Sequence, residues 1–188
     1  MPREDAERWN ARYRECGNIP IDVPRDLLVN FSHLLPSSGW ALDIATGRGA
    51  NAIFLTQCGL KVVAIDISWV ALYHAHHRCP LLYLILADLT EYSLPCWQFD
   101  VILNFYYLNR SLFPLFSSRL KSGGLLFIET LTEKMEEIFP NRIDPMYLLR
   151  EGELYHIFRE WEILYYNEGI TQGRSGLKAI ASLVARKP

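Results

Sequence analysis

The sequence has no excess of positive charge and no long apolar run. Lysine and arginine together number 19 and aspartate and glutamate 21, so the formal net charge of the 188 residues is −2. This balance gives no basic excess to neutralise a phosphate backbone, so we expect a small-molecule partner and no nucleic acid, with a local basic patch as the open alternative. The longest apolar run, 80–87, has the length of a strand and is too short to span a bilayer, so no membrane partner is expected.

Cysteine is sparse and unpatterned. A disulfide framework is typical of small, cysteine-dense secreted chains, and this chain has four scattered cysteines without a C-x-x-C pair. The first 14 residues are highly charged, unlike a signal peptide. We therefore expect a cytoplasmic protein whose thiols are reduced and buried or half-buried: Cys16, Cys58, Cys79 and Cys96.

The length and composition favour one globular domain. Half of the residues are hydrophobic and 21% are charged. The chain is ordinary in length for one domain and short for two, and it has no repeat and no low-complexity linker. We expect a single domain over residues 1–188, with N-terminal helices in 1–36, as a monomer or homodimer.

Two helices are predicted before the first strand. The first, Arg3 to Cys16, has Trp9 and Tyr13 one turn apart on one face, and Gly17 is placed to end it. The second runs from Pro24 to Leu35, with proline at its start and another proline just past its end.

Short apolar strands then alternate with helices. Strands are expected at 40–44, 61–67, 81–87, 99–103 and 125–129, and helices at 51–58, 68–77 and 111–120. Ser68 and Ser111 are the predicted N-caps of the second and third of these helices. Gly59 is predicted to end the helix at 51–58, and Gly123 and Gly124 to form the turn before the fifth strand. Such apolar strands are expected to be buried on both faces of a parallel sheet, which predicts an α/β fold.

The C-terminal part has a different pattern. A helix is predicted at 153–160, followed by strands at 161–166 and 178–185 that are separated by a polar stretch, 167–176. Because no helix lies between these strands, we expect an antiparallel pair at one edge of the sheet.

A glycine-rich turn, Asp43-Ile44-Ala45-Thr46-Gly47-Arg48-Gly49, joins the first strand to a helix. Gly47 and Gly49 allow the backbone to approach a ligand or to adopt positive φ. Open α/β sheets bind ligands in the crevice at the carboxyl ends of their strands, which is where this turn lies.

Two more aspartates follow the next two strands. Asp66 can accept hydrogen bonds from both hydroxyls of a ribose, and Asp88 can accept one from the exocyclic amine of a base. Any one of them could instead cap a turn. With Asp43, however, they stand at matching ends of three consecutive strands, which favours a ligand site.

A nicotinamide dinucleotide is the competing ligand. Residues 47–52 fit its G-x-G-x-x-A fingerprint. A carboxylate at Asp43 would repel a pyrophosphate and attract an α-ammonium group, so the turn favours a cofactor with an amino-acid end.

These segments resemble the motifs of class I S-adenosylmethionine-dependent methyltransferases. The similar segments are L-D-I-A-T-G-R-G-A-N-A-I-F-L-T-Q-C-G (42–59), V-V-A-I-D-I-S (62–68), A-D-L (87–89), F-D-V-I-L-N (99–104) and L-K-S-G-G-L-L-F-I-E (120–129). The resemblance implies the three-layer, Rossmann-like class I methyltransferase fold. Its mostly parallel seven-stranded sheet has the order 3-2-1-4-5-7-6 and is closed by a C-terminal antiparallel hairpin.

Within that family the chain is most similar to small tellurite-resistance-type methyltransferases. The similarity lies in W-N-A-R-Y (9–13), R-G-A-N (48–51) and L-L-R-E-G-E-L (148–154). One departure concerns position 45, where the family has glycine and this chain has Ala45. A methyl group is tolerated there if φ is negative.

The resemblance implies roles for individual residues. Asp43 and the backbone of Gly47 and Gly49 would hold the methionine end of S-adenosylmethionine, and Asp66 would hold its ribose. Asp88 would meet the adenine amine, Ile67 and Leu89 would sandwich the ring, and Asn104 would face the donor methyl. The remaining predicted cofactor contacts are Ala45, Asn51 and Ser68, together with Trp9 and Tyr13, which would either form a lid or simply dock the first helix.

The acceptor side is less patterned. Tyr106, Tyr107 and Arg110 are candidate acceptor contacts, although aromatic residues there fit a core equally well. Asn104-Phe105-Tyr106-Tyr107 lacks both prolines of the N-P-P-Y motif of nucleic-acid amino-methyltransferases. Cys96 precedes the fourth strand, whereas the nucleophile of cytosine methylases follows it, so Cys96 is interpreted as structural.

No metal centre is expected. His74 and His77 share a helix face beside His76, but no further ligand completes a tetrahedral set, so this is interpreted as a solvated helix end. The predicted function is methyl transfer from S-adenosylmethionine to a small-molecule acceptor, a metabolite or a metalloid anion. The alternatives are a non-catalytic cofactor-binding regulator and, with less support, a nicotinamide-dependent oxidoreductase.

Overall fold

Seven strands form one sheet in the order β3-β2-β1-β4-β5-β7-β6. The computed structural model describes residues 2–15, 23–173 and 176–188. The strands are β1 (Gly39–Ile44), β2 (Leu60–Asp66), β3 (Tyr83–Leu86), β4 (Phe99–Phe105), β5 (Leu120–Leu131), β6 (Glu162–Gly173) and β7 (Gly176–Arg186). β1 to β5 pair in parallel and β7 is antiparallel to both neighbours, which confirms the predicted order and the reversed hairpin.

Seven α-helices lie in the described ranges, where they connect or flank these strands. They are α1 (Pro2–Glu15), α2 (Asp26–Asn30), α3 (Ala50–Gln57), α4 (Trp69–Arg78), α5 (Phe113–Arg119), α6 (Met135–Ile138) and α7 (Glu153–Phe158). The first predicted helix is confirmed as α1. Its predicted end at Gly17, like Cys16, lies outside the described residues.

Apolar side chains cover both faces of the central strands, because successive residues of a strand point to opposite faces. Leu42, Ile102 and Ile128 pack into one layer with α5 and α7, while Leu103 and Phe127 pack into the other with α2 and α3. Burial on both faces is thus confirmed for the centre of the sheet.

The prediction of two buried faces is wrong for β3. This strand has a single neighbour, β2, in the sheet. Tyr83 and Leu86 are 51% and 59% exposed. An apolar sequence therefore does not distinguish an edge strand from a central one.

The predicted second helix is divided. α2 has five residues and is followed by a 3₁₀ turn, Ser32–Leu34. Between them Phe31 leaves helical geometry, with φ −105° and ψ 16°. Its ring packs on Tyr165 of β6 with centroids 5.0 Å apart, a tertiary contact that helical periodicity does not contain.

One predicted cap is confirmed and one is wrong. The Ser68 hydroxyl accepts a hydrogen bond from the amide of Ala71 at 3.2 Å and caps α4. Ser111 is not a cap: its amide donates to the side chain of Asn109 at 3.1 Å, which begins a 3₁₀ turn before α5. Asparagine caps at least as well as serine, and it stands two residues earlier.

The C-terminal hairpin is longer than predicted. The polar stretch 167–176 was expected to separate the strands, but most of it is strand, with Asn167 opposite Ser182 and Thr171 opposite Lys178. Backbone pairing does not require apolar side chains on a strand at the edge of a sheet.

Two smaller observations complete the fold. No helix within the described ranges is both long and apolar enough to cross a membrane. Cys58 and Cys79 are half-buried as expected, whereas Cys96 is exposed, contrary to the prediction. It lies in the irregular connection between β3 and β4.

Candidate cofactor and acceptor site

Two residues with left-handed backbone lie at the carboxyl edge of the sheet, where open α/β sheets form the crevice that binds their ligands. Ala45 (φ +53°) directly follows β1, and Tyr106 (φ +56°) directly follows β4, the strand that pairs with β1 in parallel. This conformation costs a non-glycine residue roughly 1–2 kcal/mol, and such strain concentrates at functional sites. Because φ is positive at Ala45, the condition for tolerating its methyl group, a negative φ, is not met. The next residue, Thr46, donates its amide to the carbonyl of Ile65 at 2.9 Å.

Asp43 is a buried carboxyl group at the start of the glycine turn. It is 1% exposed and accepts a hydrogen bond from the hydroxyl of Thr46. Burial raises its pKa to about 7, and the nearby charge of Asp66 adds to the rise that the Thr46 hydrogen bond opposes. A cation beside this group would favour its ionised form.

Asp66 joins the glycine turn to the end of β2. One carboxylate oxygen accepts from the amide of Gly47 at 2.7 Å and the other from the amide of Ser68 at 2.8 Å. Burial raises the pKa of Asp66, while these backbone hydrogen bonds oppose the rise. Each carboxylate oxygen has a second lone pair, which leaves acceptor capacity for a hydroxyl group.

The two glycines of the turn have different neighbours. A Cβ on Gly47 would lie 2.8 Å from the hydroxyl of Tyr13, so α1 lies directly on the turn. A Cβ on Gly49 would lie 2.9 Å from the Cβ of Ala75. Gly49 therefore permits close packing of α4, and Gly47 permits the close approach of Tyr13.

A buried asparagine fastens α1 over this turn. The side-chain oxygen of Asn10 accepts from the hydroxyl of Ser68 at 2.7 Å and from the amide of Val70 at 3.3 Å. On the same helix Trp9 stacks on Tyr13, with centroids 5.8 Å apart. The first helix is thus docked, and its function as a lid remains a prediction.

The predicted adenine contacts also have structural roles. Asp88 accepts from the amide and the hydroxyl of Thr90 at 2.8 and 2.7 Å, so it caps its own turn. Leu89 is 6% exposed and packs in the core, whereas Ile67 is half-buried. A surface concavity of about 290 Å³ lies beside Asp88, while a similar one beside Asp100 and Lys121 contains no predicted site residue. Adenine binding here remains a prediction.

Asn104 has a buried acceptor without a donor. The residue is 1% exposed in β4, in register with Ile44 and Ile128. Its side-chain oxygen meets no hydrogen-bond donor among the residues that the structure describes. Such a group costs about 1–3 kcal/mol, so this position is suited to a ligand that donates a hydrogen bond.

Tyr106 is the centre of a charged group that we call the Tyr106 cluster: Tyr106, Arg25, Glu129, Lys178 and Ser182. The guanidinium carbon of Arg25 and the Nζ of Lys178 lie 4.2 and 4.8 Å from the centre of the Tyr106 ring. Burial and the Glu129 carboxylate raise the pKa of Tyr106. The hydroxyl of Ser182 donates to Glu129 at 3.0 Å.

The other two predicted acceptor residues lie in different surroundings. Tyr107 is half-buried against the apolar layer under α5, and burial raises its pKa. Arg110 donates to Glu153 at 2.6 and 2.8 Å and to the carbonyls of Met146 and Leu148. Arg110 therefore fastens the segment before α7, and these contacts give no support to its predicted role in acceptor binding.

The histidines lie at the end of α4. His76 and His77 are exposed there, and His74 is half-buried. Within ranges 2–15, 23–173 and 176–188, no three potential metal ligands converge.

Sequence analysis missed several residues of the site. Thr46 and Asn10 lie inside quoted motifs, so a search for polar neighbours of the predicted residues could have found them. Glu129 likewise ends a quoted motif (120–129), whereas Arg25 and Lys178 carry no local signal, because tertiary structure alone brings them to the site.

Comparison with known proteins supports this interpretation. Residues 41–124 match the family model described as a methyltransferase domain. No curated protein matches the chain by sequence. The matched residues contain the glycine turn, Asp66, Asp88 and the Tyr106 region.

Solved structures with the same fold include three informative ones. TehB from Haemophilus influenzae is 20% identical with a TM-score of 0.75, and the match covers 96% of this chain and 67% of TehB. An S-adenosylmethionine-dependent methyltransferase from Methanosarcina mazei is 19% identical with a TM-score of 0.62, covering 88% and 98%. The N-methyltransferase NodS from Bradyrhizobium japonicum is 17% identical with a TM-score of 0.66, covering 85% and 93%.

At these identities the structural matches establish the fold, while the family model supplies the link to methyl transfer. The match favours a methyltransferase over the nicotinamide-dependent oxidoreductase, and an enzyme over a non-catalytic regulator. Together, the match over residues 41–124 and the fold support a class I methyltransferase that uses S-adenosylmethionine as its methyl donor.

Proposed function

We propose that this enzyme transfers a methyl group to a small-molecule acceptor, a metabolite or a metalloid anion, bound beside the Tyr106 cluster. The observation that carries the proposal is a contact between the two halves of the crevice. The amide of Arg25, in the cluster, donates to the side chain of Asn51, in the first turn of α3, at 2.9 Å. The acceptor-side cluster therefore adjoins the glycine turn.

The residues of the turn fit the cofactor. A buried carboxyl at Asp43 suits an α-ammonium group, Asp66 has acceptor capacity for ribose hydroxyls, and the lone oxygen of Asn104 suits a donor. When bound, S-adenosylmethionine supplies a methyl group activated by its sulfonium. The chain contributes alignment and the exclusion of water, which α1 over Gly47 provides.

The choice of a small acceptor over a nucleic acid is inferred from the net charge of the chain. The net charge of −2 offers no general attraction for a nucleic acid. We also propose that residues 1–188 act as one domain in the cytoplasm, as a monomer or homodimer, with α1 and α2 covering the crevice.

The first test is calorimetric titration of S-adenosylmethionine, S-adenosylhomocysteine and NADH into the wild type and the Asp66→Asn variant. We expect micromolar binding of the two sulfur compounds, weakened at least tenfold in the variant, and none of NADH. Asp144→Asn is the matched control, because Asp144 caps a 3₁₀ turn remote in sequence from the crevice residues.

Circular dichroism of both variants checks that they are folded. Preference for NADH, or unchanged affinity in Asp66→Asn, would contradict the assignment of the site. Tight cofactor binding without turnover of any acceptor would instead support the regulatory alternative.

A further inference from the structure

Two cations share one aromatic ring in the Tyr106 cluster. Arg25 precedes α2, near the start of the chain, and Lys178 lies in β7, near its end. Both approach the ring of Tyr106 within 5 Å of its centre, at 4.2 and 4.8 Å. A cation over an aromatic face gains about 0.5–2 kcal/mol, but two like charges held this close repel each other.

The charges of the cluster are not balanced from within. Lys178 is half-buried. Its burial lowers its pKa, and the charge of Arg25 lowers that pKa further. Glu129 is the carboxylate that faces these groups from β5, and it already accepts a hydrogen bond from Ser182. The charge of Asp26, on α2, also acts on Tyr106, as the smallest of the contributions that shift its pKa, and Asp26 is exposed to solvent, which screens it. An anion between Arg25 and Lys178 would offset their repulsion.

The backbone at Tyr106 directs this ring away from the adjacent strand residues. Tyr106 lies two positions after Asn104, so a regular strand would place both side chains on one face. The left-handed φ of +56° reverses the chain, and the Tyr106 ring packs with the layer under α2 and α3. This costly conformation brings the ring into contact with both cations.

We propose that the methyl acceptor carries an oxyanionic group, in the first place a carboxylate, and that Arg25 and Lys178 bind it. Arg25 supplies planar paired donors that match a carboxylate, and Lys178 supplies a compact charge. Tyr106 positions both cations. This inference rests on the proposed function and names the acceptor class for the same site.

The test uses protein saturated with S-adenosylhomocysteine and measures the binding of matched probes by calorimetry or ligand-observed NMR. The probes are acetate, 3-mercaptopropionate and 4-hydroxybenzoate, each with its neutral amide, and sulfate as an inorganic oxyanion. We expect at least one carboxylate to bind at least tenfold more tightly than its amide. That preference disappears in the Arg25→Gln/Lys178→Gln double variant.

Lys134→Gln is the matched control, because Lys134 pairs with Glu151 at the surface, and it is expected to bind the probes as wild type does. The affinity for S-adenosylhomocysteine should change less than threefold in all variants. Failure of the wild type to bind this compound would contradict the proposed function itself. With that binding intact, equal affinity for acids and amides, or a double variant that binds as wild type, would overturn the inference. Sulfate binding that depends on Arg25 and Lys178, without carboxylate binding, would overturn the assignment of a carboxylate.

Discussion

At the scale of single residues, the site combines a strained backbone with buried charge. Ala45 adopts a left-handed conformation at a position where class I methyltransferases usually have glycine. Asp43, two residues earlier, is a nearly inaccessible carboxyl group. Both features lower the stability of the free protein, and a bound cofactor with a positive amino group would compensate part of the cost.

The strain at Ala45 predicts that Ala45→Gly raises the free energy of unfolding by about 0.5–1 kcal/mol. Glycine removes the left-handed penalty but loses more conformational entropy on folding. Ala52→Gly, inside α3, is the control and should lower stability by about 1 kcal/mol or more. Urea denaturation measures both variants, and a loss of stability in Ala45→Gly would show that the turn is not strained.

The buried Asp43 predicts pH-dependent cofactor binding. Its pKa rises from 3.8 to about 7 in the folded protein, so the ionised form that attracts an α-ammonium group prevails above pH 7. Affinity for S-adenosylmethionine should fall about tenfold for each pH unit below 7. Asp66, whose pKa is also raised, contributes in the same direction.

Calorimetry between pH 5.5 and 8.5 measures this dependence, and Asp43→Asn should bind weakly with a flatter profile. Stability of the free protein should vary in the opposite sense. The neutral Asp43 is favoured by the folded state, so its contribution is complete below pH 4 and is lost as the pH rises towards 7. If the affinity of Asp43→Asn for S-adenosylmethionine has the same pH slope as that of the wild type, Asp43 is excluded as the titrating group.

At the scale of elements, Asn10 and Tyr13 connect α1 to the site. Asn10 bridges α1 to Ser68 and Val70 at the start of α4, and Tyr13 lies against Gly47. The cap of α4 and the docking of α1 therefore depend on the same serine. A helix attached in this way can open without disturbing the sheet.

Removal of this bridge should loosen α1 and weaken cofactor binding. Asn10→Ala loses two hydrogen bonds, worth about 1–2 kcal/mol together, so affinity for S-adenosylhomocysteine should fall about three- to tenfold. Hydrogen exchange in residues 2–15 should accelerate, while the strands keep their protection. The control is Asn167→Ala, on the exposed face of β6. Equal hydrogen exchange of residues 2–15 in both variants would contradict the role of Asn10 in docking α1.

At the scale of the whole molecule, the strand order assembles the site from distant parts of the chain. β4 and β5 lie between β1 and the C-terminal hairpin, so Glu129 and Ser182 meet Tyr106 beside the glycine turn. Arg25 arrives from the N-terminal side because α2 packs on the same layer. Ligand binding to this assembly stabilises the folded state as a whole.

Thermal unfolding should show that linkage. At a concentration 100 times its Kd, a ligand that binds only the folded state stabilises it by about 2.7 kcal/mol. For a domain of this size S-adenosylmethionine should raise Tm by about 5–10 °C. NADH at the same concentration is the control and should leave Tm unchanged, and an equal rise with NADH would favour a dinucleotide site.

The strand order was implied by the resemblance to class I methyltransferases. The sequence by itself determined the α/β class and the positions of Asp43, Asp66 and the glycine turn. These depend on apolar periodicity, chain order and local motifs, all of which are visible within short windows. Only the tertiary structure decided the left-handed φ at Ala45, the Asn109 cap, the exposed edge at β3 and the Tyr106 cluster. The physical reason is that each depends on contacts between residues far apart in the chain, or on a backbone angle imposed by those contacts, and local patterns do not contain either.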